Sequence, residues 1–167
     1  MYPSLSTGAI GVKATFQEGL ALATKHGFRG YHFDIAEVHK LGVESVQDLA
    51  GANNVRLAAW GLPIEFRRDE ARYRKDVLAL AALAKTASEL GVFRTATWIL
   101  SCSDTLTYHQ NFDLHVKRLK PVAEILLHHG IRFGLEYVGP KTFWSSKRYT
   151  FMHTMDEMLG LCDALGP

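Results

Sequence analysis

The chain has 167 residues, 47% hydrophobic and 22% charged, which is the composition of an ordinary globular domain. Its 19 basic and 17 acidic residues leave a net charge of +2 without a long block of like charge, so neither a nucleic acid nor a membrane is an expected partner. No apolar run reaches the roughly 20 residues that cross a bilayer. The N-terminus lacks the basic and apolar regions of a signal peptide, and Cys102 and Cys162 have no metal or redox spacing, so we expect a cytoplasmic protein.

Helices and strands are predicted to alternate along the whole chain. Thr15 followed by Glu18 forms the capping-box pattern that begins a helix, and the longest helix shows apolar residues at helical spacing. Pro121 lies inside a later helical stretch and is expected to bend or divide it. The predicted strands are 4–10, 30–34, 56–60, 92–100 and 131–135, and the predicted helices begin at Thr15 and then cover 45–50, 69–90, 108–129 and 154–165.

A recurring glycine indicates how these elements are connected. Gly27, Gly91 and Gly130 each follow a predicted helix and are themselves followed at once by an apolar, extended segment. Helices that alternate with strands in this way predict βα units and a parallel sheet. The sequence contains five such units.

Two α/β architectures fit five units. One is a (β/α) TIM-type barrel truncated to five of its eight units, so that residues 1–167 form a single partial barrel domain. The other is a complete five-stranded, flavodoxin-like doubly wound sheet. The segment Gly8-Ala-Ile-Gly11 is a poor phosphate-binding loop, which speaks against the doubly wound sheet, and the helix-then-glycine signal at Gly166 favours the barrel.

Glu136 is the strongest candidate for a reactive group. It follows the strand 131–135 and precedes a loop rich in Gly, Pro, aromatic and basic residues that includes Trp144. Ligands of parallel sheets bind at the carboxyl ends of the strands, where this carboxylate is expected to lie. A structural role, as a loop cap or an ion-pair partner of Arg132 or Lys141, is the alternative.

Three segments resemble the xylose isomerase-like TIM-barrel superfamily, which contains sugar isomerases and epimerases and the endonuclease IV type of DNA-repair enzyme. They are Lys25-His-Gly-Phe-Arg-Gly-Tyr31, Ala59-Trp-Gly-Leu-Pro63 and Gly130-Ile-Arg-Phe-Gly-Leu-Glu136. The resemblance covers the chain as the N-terminal part of such a barrel.

The resemblance implies that Glu136 is the first of four ligands of a divalent metal, Mn, Mg, Zn or Co. The other ligands of the family, an Asp, a His and a second Glu, come from later strands than this chain contains. Many of the epimerases also have a substrate-binding glutamate six residues after the first, where this chain has Thr142. Metal binding by this chain alone is therefore expected to be weak or absent.

Four further side chains are candidates for lining a sugar site. His32 shares a strand face with Asp34, as a structural hydrogen-bonded pair or as part of the site. Trp60 and Trp98 lie near strand ends and either stack on a sugar ring or pack in the core, and Trp144 is the aromatic residue favoured for ligand contact. The basic run that starts at Arg67-Arg68 is interpreted as a solvated helix start.

The resulting hypothesis is the N-terminal part of a metal-dependent sugar or sugar phosphate isomerase or epimerase, inactive in isolation. The alternative is a non-catalytic half-barrel that self-associates through its sheet edges, forming a homo-oligomer. A nuclease resembling endonuclease IV is a third reading. It requires a dense His and Glu cluster and a basic groove, neither of which is visible in the sequence.

Overall fold

The structure is a computed structural model that describes residues 1–166. Its elements follow one another in the βα pattern, and a short 3-10 turn at Gly8–Ile10 lies between the first strand and the first helix. The strands are β1 (Ser4–Leu5), β2 (Gly30–Phe33), β3 (Arg56–Gly61), β4 (Arg94–Ile99), β5 (Cys102–Ser103), β6 (Arg132–Tyr137) and β7 (Tyr149–Thr150). The helices are α1 (Phe16–Lys25), α2 (Ile35–Leu41), α3 (Val43–Ala52), α4 (Glu70–Glu89), α5 (Tyr108–His128), α6 (Lys141–Trp144) and α7 (Met155–Leu165).

The main sheet decides between the two predicted architectures. Its five strands are parallel and lie in the order β1-β2-β3-β4-β6, which is the order in which they occur along the chain. A doubly wound sheet reverses its strand order at an interior switch point, and no reversal occurs here. The sheet has the sequential order of a (β/α) barrel, and it is open, with β1 and β6 at its edges.

The helix boundaries come from local capping chemistry that the sequence carries. The side chains of Thr15, Thr107 and Thr154 each accept a hydrogen bond from the backbone N–H of the third helical residue. The backbone N–H of each threonine in turn donates to the side chain of that residue, which completes a capping box. Gly91 and Gly130 follow α4 and α5 with φ of 72° and 69°, a left-handed backbone that glycine adopts without strain. The predicted helix–glycine–strand recurrence is therefore confirmed.

Several predicted details differ from the structure. The strand predicted at 4–10 is only β1. Helix α2 was not predicted because its N-cap, Asp34, was assigned to a strand. Pro121 does not divide α5, which runs as one helix from Tyr108 to His128. The antiparallel pair β5–β7 and the single turn α6 were also missed, since both are too short to leave a periodic pattern.

The two faces of the sheet have opposite environments. Side chains on one face, including Phe33, Trp60 and Ile99, are buried in the core beneath the helices. Successive residues of a strand point to opposite faces of the sheet. Ala96, Gly134 and their neighbours on the other face are exposed, so no helix covers that face. We call this second side the open face. In a closed barrel it would be the interior.

None of the helices in residues 1–166 is long and apolar enough to cross a membrane.

Candidate functional site

Glu136 lies on the open face at the carboxyl end of β6. It pairs in register with Trp98 of β4, two residues beyond the pair Ala96–Gly134, so the two side chains stand side by side on neighbouring strands. Glu136 is exposed, and Trp98 is 46% exposed. The structure thus brings together a carboxylate and an aromatic ring that were predicted separately.

Arg67 covers Trp98 and was not recognised as a site residue in the sequence. Its guanidinium lies 4.5 Å from the centre of the Trp98 ring, and its Nη2 donates a 2.6 Å hydrogen bond to the Trp98 carbonyl oxygen. Arg67 precedes α4 and is half-buried, so its interpretation as part of a solvated helix start is wrong. The available signal was its position in the loop after β3, at the end of the sheet where parallel-sheet ligands bind.

His32 also faces the open side, although its expected partner does not. A Cβ built on Gly61 would lie 3.7 Å from His32 Nε2, and Gly61 pairs with Ala96 of the open face. Burial lowers the pKa of His32, which favours the neutral imidazole. His32 lines a cavity of about 650 Å³ at the carboxyl ends of β1, β2 and β3.

Asp34 does not pair with His32. Its carboxylate accepts hydrogen bonds from the backbone amides of Ala36 and Glu37 at 2.7 and 3.2 Å, which caps helix α2. Helix N-caps prefer Asp for this reason. The predicted His32–Asp34 pair is therefore wrong.

Trp60 is excluded from the open face. It is 0% exposed, and it pairs in register with Phe33 and Thr95, which are buried on the helix-covered face. A side chain without accessible surface does not stack on a ligand, so the substrate-binding role predicted for Trp60 is wrong and its alternative, core packing, is correct. Trp60 is buried and Trp98 is partly exposed because the two side chains lie on opposite faces of the sheet.

Trp144 lies in helix α6 of the loop that follows β6. Its ring packs on that of His153, with centroids 4.7 Å apart and planes inclined by 31°. The side chain is half-buried. It remains a candidate ligand contact, separated along the chain from the Glu136–Trp98 pair.

The described residues do not form a complete metal site. Within residues 1–166 no group of three or more His, Cys, Asp or Glu side chains is arranged to hold a cation. Glu136 supplies one carboxylate, whereas Mg²⁺ or Mn²⁺ takes about six ligands. The donor set therefore fits one ligand of a metal site and not the site itself.

Comparison with solved structures identifies the architecture around this site. A xylose isomerase domain protein from Alicyclobacillus acidocaldarius matches over 99% of this chain with 25% identity and a TM-score of 0.85. The chain has the fold of part of a xylose isomerase-like TIM barrel. A D-psicose 3-epimerase from Clostridium cellulolyticum matches this partial barrel over 99% of the chain with 16% identity and a TM-score of 0.72.

A third structure of the same fold was solved with a bound metal. An IolI protein with a bound zinc atom matches over all of this chain with 16% identity and a TM-score of 0.73. In each of the three comparisons the partial barrel spans 60% of the other chain. No sequence-family profile matches this chain. A comparison with curated protein sequences also finds no match.

Proposed function

We propose that this chain is a part of a metal-dependent sugar or sugar phosphate isomerase or epimerase, in which Glu136 provides one ligand of a divalent metal. The observation that carries the proposal is the pairing of an exposed Glu136 with Trp98 at the carboxyl end of the open face. Solved proteins that share the fold include a D-psicose 3-epimerase and a zinc-binding IolI protein.

The side chains on the open face fit a sugar. The exposed part of Trp98 offers an aromatic surface for the apolar side of a sugar ring, and the Arg67 guanidinium packs on the same indole. His32, neutral because of its burial, is able to exchange hydrogen bonds with a hydroxyl group. In this proposal Trp98 and His32 bind and orient the substrate, and Trp144 is a further contact.

The chemistry requires more groups than this chain offers. Isomerisation or epimerisation moves a proton to and from a carbon next to a carbonyl, which needs a positioned base and a group that stabilises the oxygen. Glu136 is able to take a proton or to bind a cation, but one carboxylate does not perform both roles. We therefore propose that the remaining groups come from barrel units that this chain lacks.

The isolated chain is expected to be catalytically inactive. The test is an assay of the 167-residue chain with Mn²⁺ and a panel of ketoses, read by chromatography of the sugars. Turnover that is lost on chelation and restored by Mn²⁺ would contradict the proposed incompleteness, because it would mean that the described residues suffice.

Self-association is a second candidate, favoured by the open edge of the sheet. Among residues 1–166, strand β6 is paired with β4 alone, and beside it lies an apolar groove of about 450 Å³ formed with α5 and α7. Unpaired edges of this kind bind further strands. The endonuclease-like reading needs a dense His and Glu cluster, which residues 1–166 do not contain, and it is not proposed.

Sedimentation velocity tests the self-association directly. We expect a dimer or larger species that Leu127→Lys weakens, because Leu127 is 57% exposed in the groove beside β6. Leu78→Lys is the matched control, since Leu78 is 84% exposed on α4 and lies outside that groove. A monodisperse monomer for the unmodified chain, or equal effects of the two variants, would reject this candidate.

A further inference from the structure

A second polar cavity lies beside the open face, between the loops that follow β3, β4 and β6. It has a volume of about 260 Å³. We call it the loop cavity. Its polar lining includes Arg67, Arg68, Asp104, Asn111, His115 and Lys147.

Three side chains of the loop cavity have polar atoms without a hydrogen-bond partner among the described residues. The Asn111 side chain makes no hydrogen bond within residues 1–166, although the residue is only 6% exposed. Arg67 Nε and His115 Nε2 are buried, and neither has a hydrogen-bond partner within residues 1–166. Buried polar groups are normally satisfied, so the two buried atoms, Arg67 Nε and His115 Nε2, indicate that a further group binds there.

The unpartnered atoms include donors and an acceptor. Arg67 Nε–H is a donor, and the Asn111 amide both donates and accepts. His115 Nδ1 donates a 2.7 Å hydrogen bond to the Asn111 carbonyl oxygen, and burial lowers the His115 pKa. Its Nε2 therefore carries a lone pair, which accepts a hydrogen bond from a hydroxyl group.

The charge of the loop cavity is positive. Arg67, Arg68 and Lys147 bring three cations from two different loops, against the single carboxylate of Asp104. Lys147 Nζ donates to that carboxylate at 2.7 Å, and the Glu65 carboxylate lies beside Arg67, so the charge of one guanidinium group remains in excess. Arg68 has an exposed side chain without an ion pair among the described residues. Guanidinium groups bind phosphate oxygens in a bidentate geometry.

We propose that the loop cavity binds the phosphate group of a phosphorylated sugar. Arg67 joins this cavity to the open face, because the same guanidinium that lines the cavity lies on Trp98. A sugar on Trp98 would thus direct a phosphate toward Arg67, Arg68 and Asn111. The position of the sugar on Trp98 rests on the proposed function. The binding of phosphate rests on the loop cavity alone.

Titration calorimetry with inorganic phosphate at low salt tests the phosphate site, and this measurement does not depend on catalytic activity. We expect saturable binding to the 167-residue chain, weakened about tenfold by Arg68→Gln, which removes one charge-assisted contact from an exposed position. Arg29→Gln is the matched control. Arg29 is also exposed, but it precedes β2 at the opposite end of the sheet, so its loss should leave binding unchanged.

Two results would overturn the phosphate site: absence of saturable binding at millimolar phosphate, or equal weakening by Arg68→Gln and Arg29→Gln, which would indicate a diffuse charge effect. Glu136→Gln should bind phosphate as the unmodified chain does, so failure of the metal proposal leaves this test intact. The sugar part is tested separately with fructose 6-phosphate. It should bind more tightly than inorganic phosphate, and equal affinity would overturn the link between the loop cavity and the open face.

Discussion

Replacing Trp60 with alanine is expected to lower the free energy of unfolding by about 3–5 kcal/mol, the usual effect of truncating a large buried aromatic side chain. Trp60 is 0% exposed and lies in the core between the sheet and the helices. Its indole N–H has no hydrogen-bond partner within residues 1–166. Trp60→Phe should therefore cost less, because it keeps most of the ring and removes the unpaired donor.

Urea unfolding followed by circular dichroism measures this difference, with Trp98→Ala as the matched control. Trp98 has the same side chain in the neighbouring strand, but it is 46% exposed on the open face, so its truncation should cost about 1 kcal/mol or less. Equal losses of unfolding free energy for the two variants would contradict the assignment of Trp60 to the buried face and of Trp98 to the open face. A cost below about 1 kcal/mol for Trp60→Ala would place Trp60 outside the core.

The second large effect is expected for Glu136→Gln in a protein that carries the complete barrel. We expect metal-dependent isomerase or epimerase turnover to fall about a thousandfold or more, since a bound metal contributes several kcal/mol to such a reaction. Glutamine keeps the shape of the side chain and removes the negative charge. Without that charge the side chain is a much weaker ligand and no longer a base.

Glu44→Gln is the control for Glu136→Gln. Glu44 is an exposed carboxylate in the first turn of α3, away from the open face, so its neutralisation should leave turnover unchanged. Metal content, measured by atomic emission after gel filtration, separates loss of a ligand from loss of a base. Normal turnover with Glu136→Gln would reject both roles for Glu136.

The order of the elements was predictable because each boundary has its own local chemistry. The threonine capping boxes and the glycines after α4 and α5 act over a few residues, and they are visible in the sequence without knowledge of the fold. The position of Glu136 at the end of a strand followed from the same signals. The choice of a barrel over a doubly wound sheet required the family resemblance as well, and the strand order confirms it.

The residues that form the candidate site were less predictable, because their positions depend on strand register and on partners distant in sequence. Trp60 and Trp98 both fall near strand ends, and only the pairings with Phe33 and with Glu136 assign them to opposite faces. Asp34 was expected to share a strand face with His32, because its use as a helix cap depends on a turn that its strand pattern concealed. Arg67 is 31 residues from Trp98, so no local pattern connects the two.

The sequential strand order has a consequence for how the chain acquires its structure during synthesis. Each new strand of the sheet is added beside the one made before it, so pairing never waits for a segment that emerges much later from the ribosome. At every stage the growing edge is the most recently made strand. Glu136, in the last strand of the sheet, is therefore synthesised after every other strand of that sheet, including the one that carries Trp98.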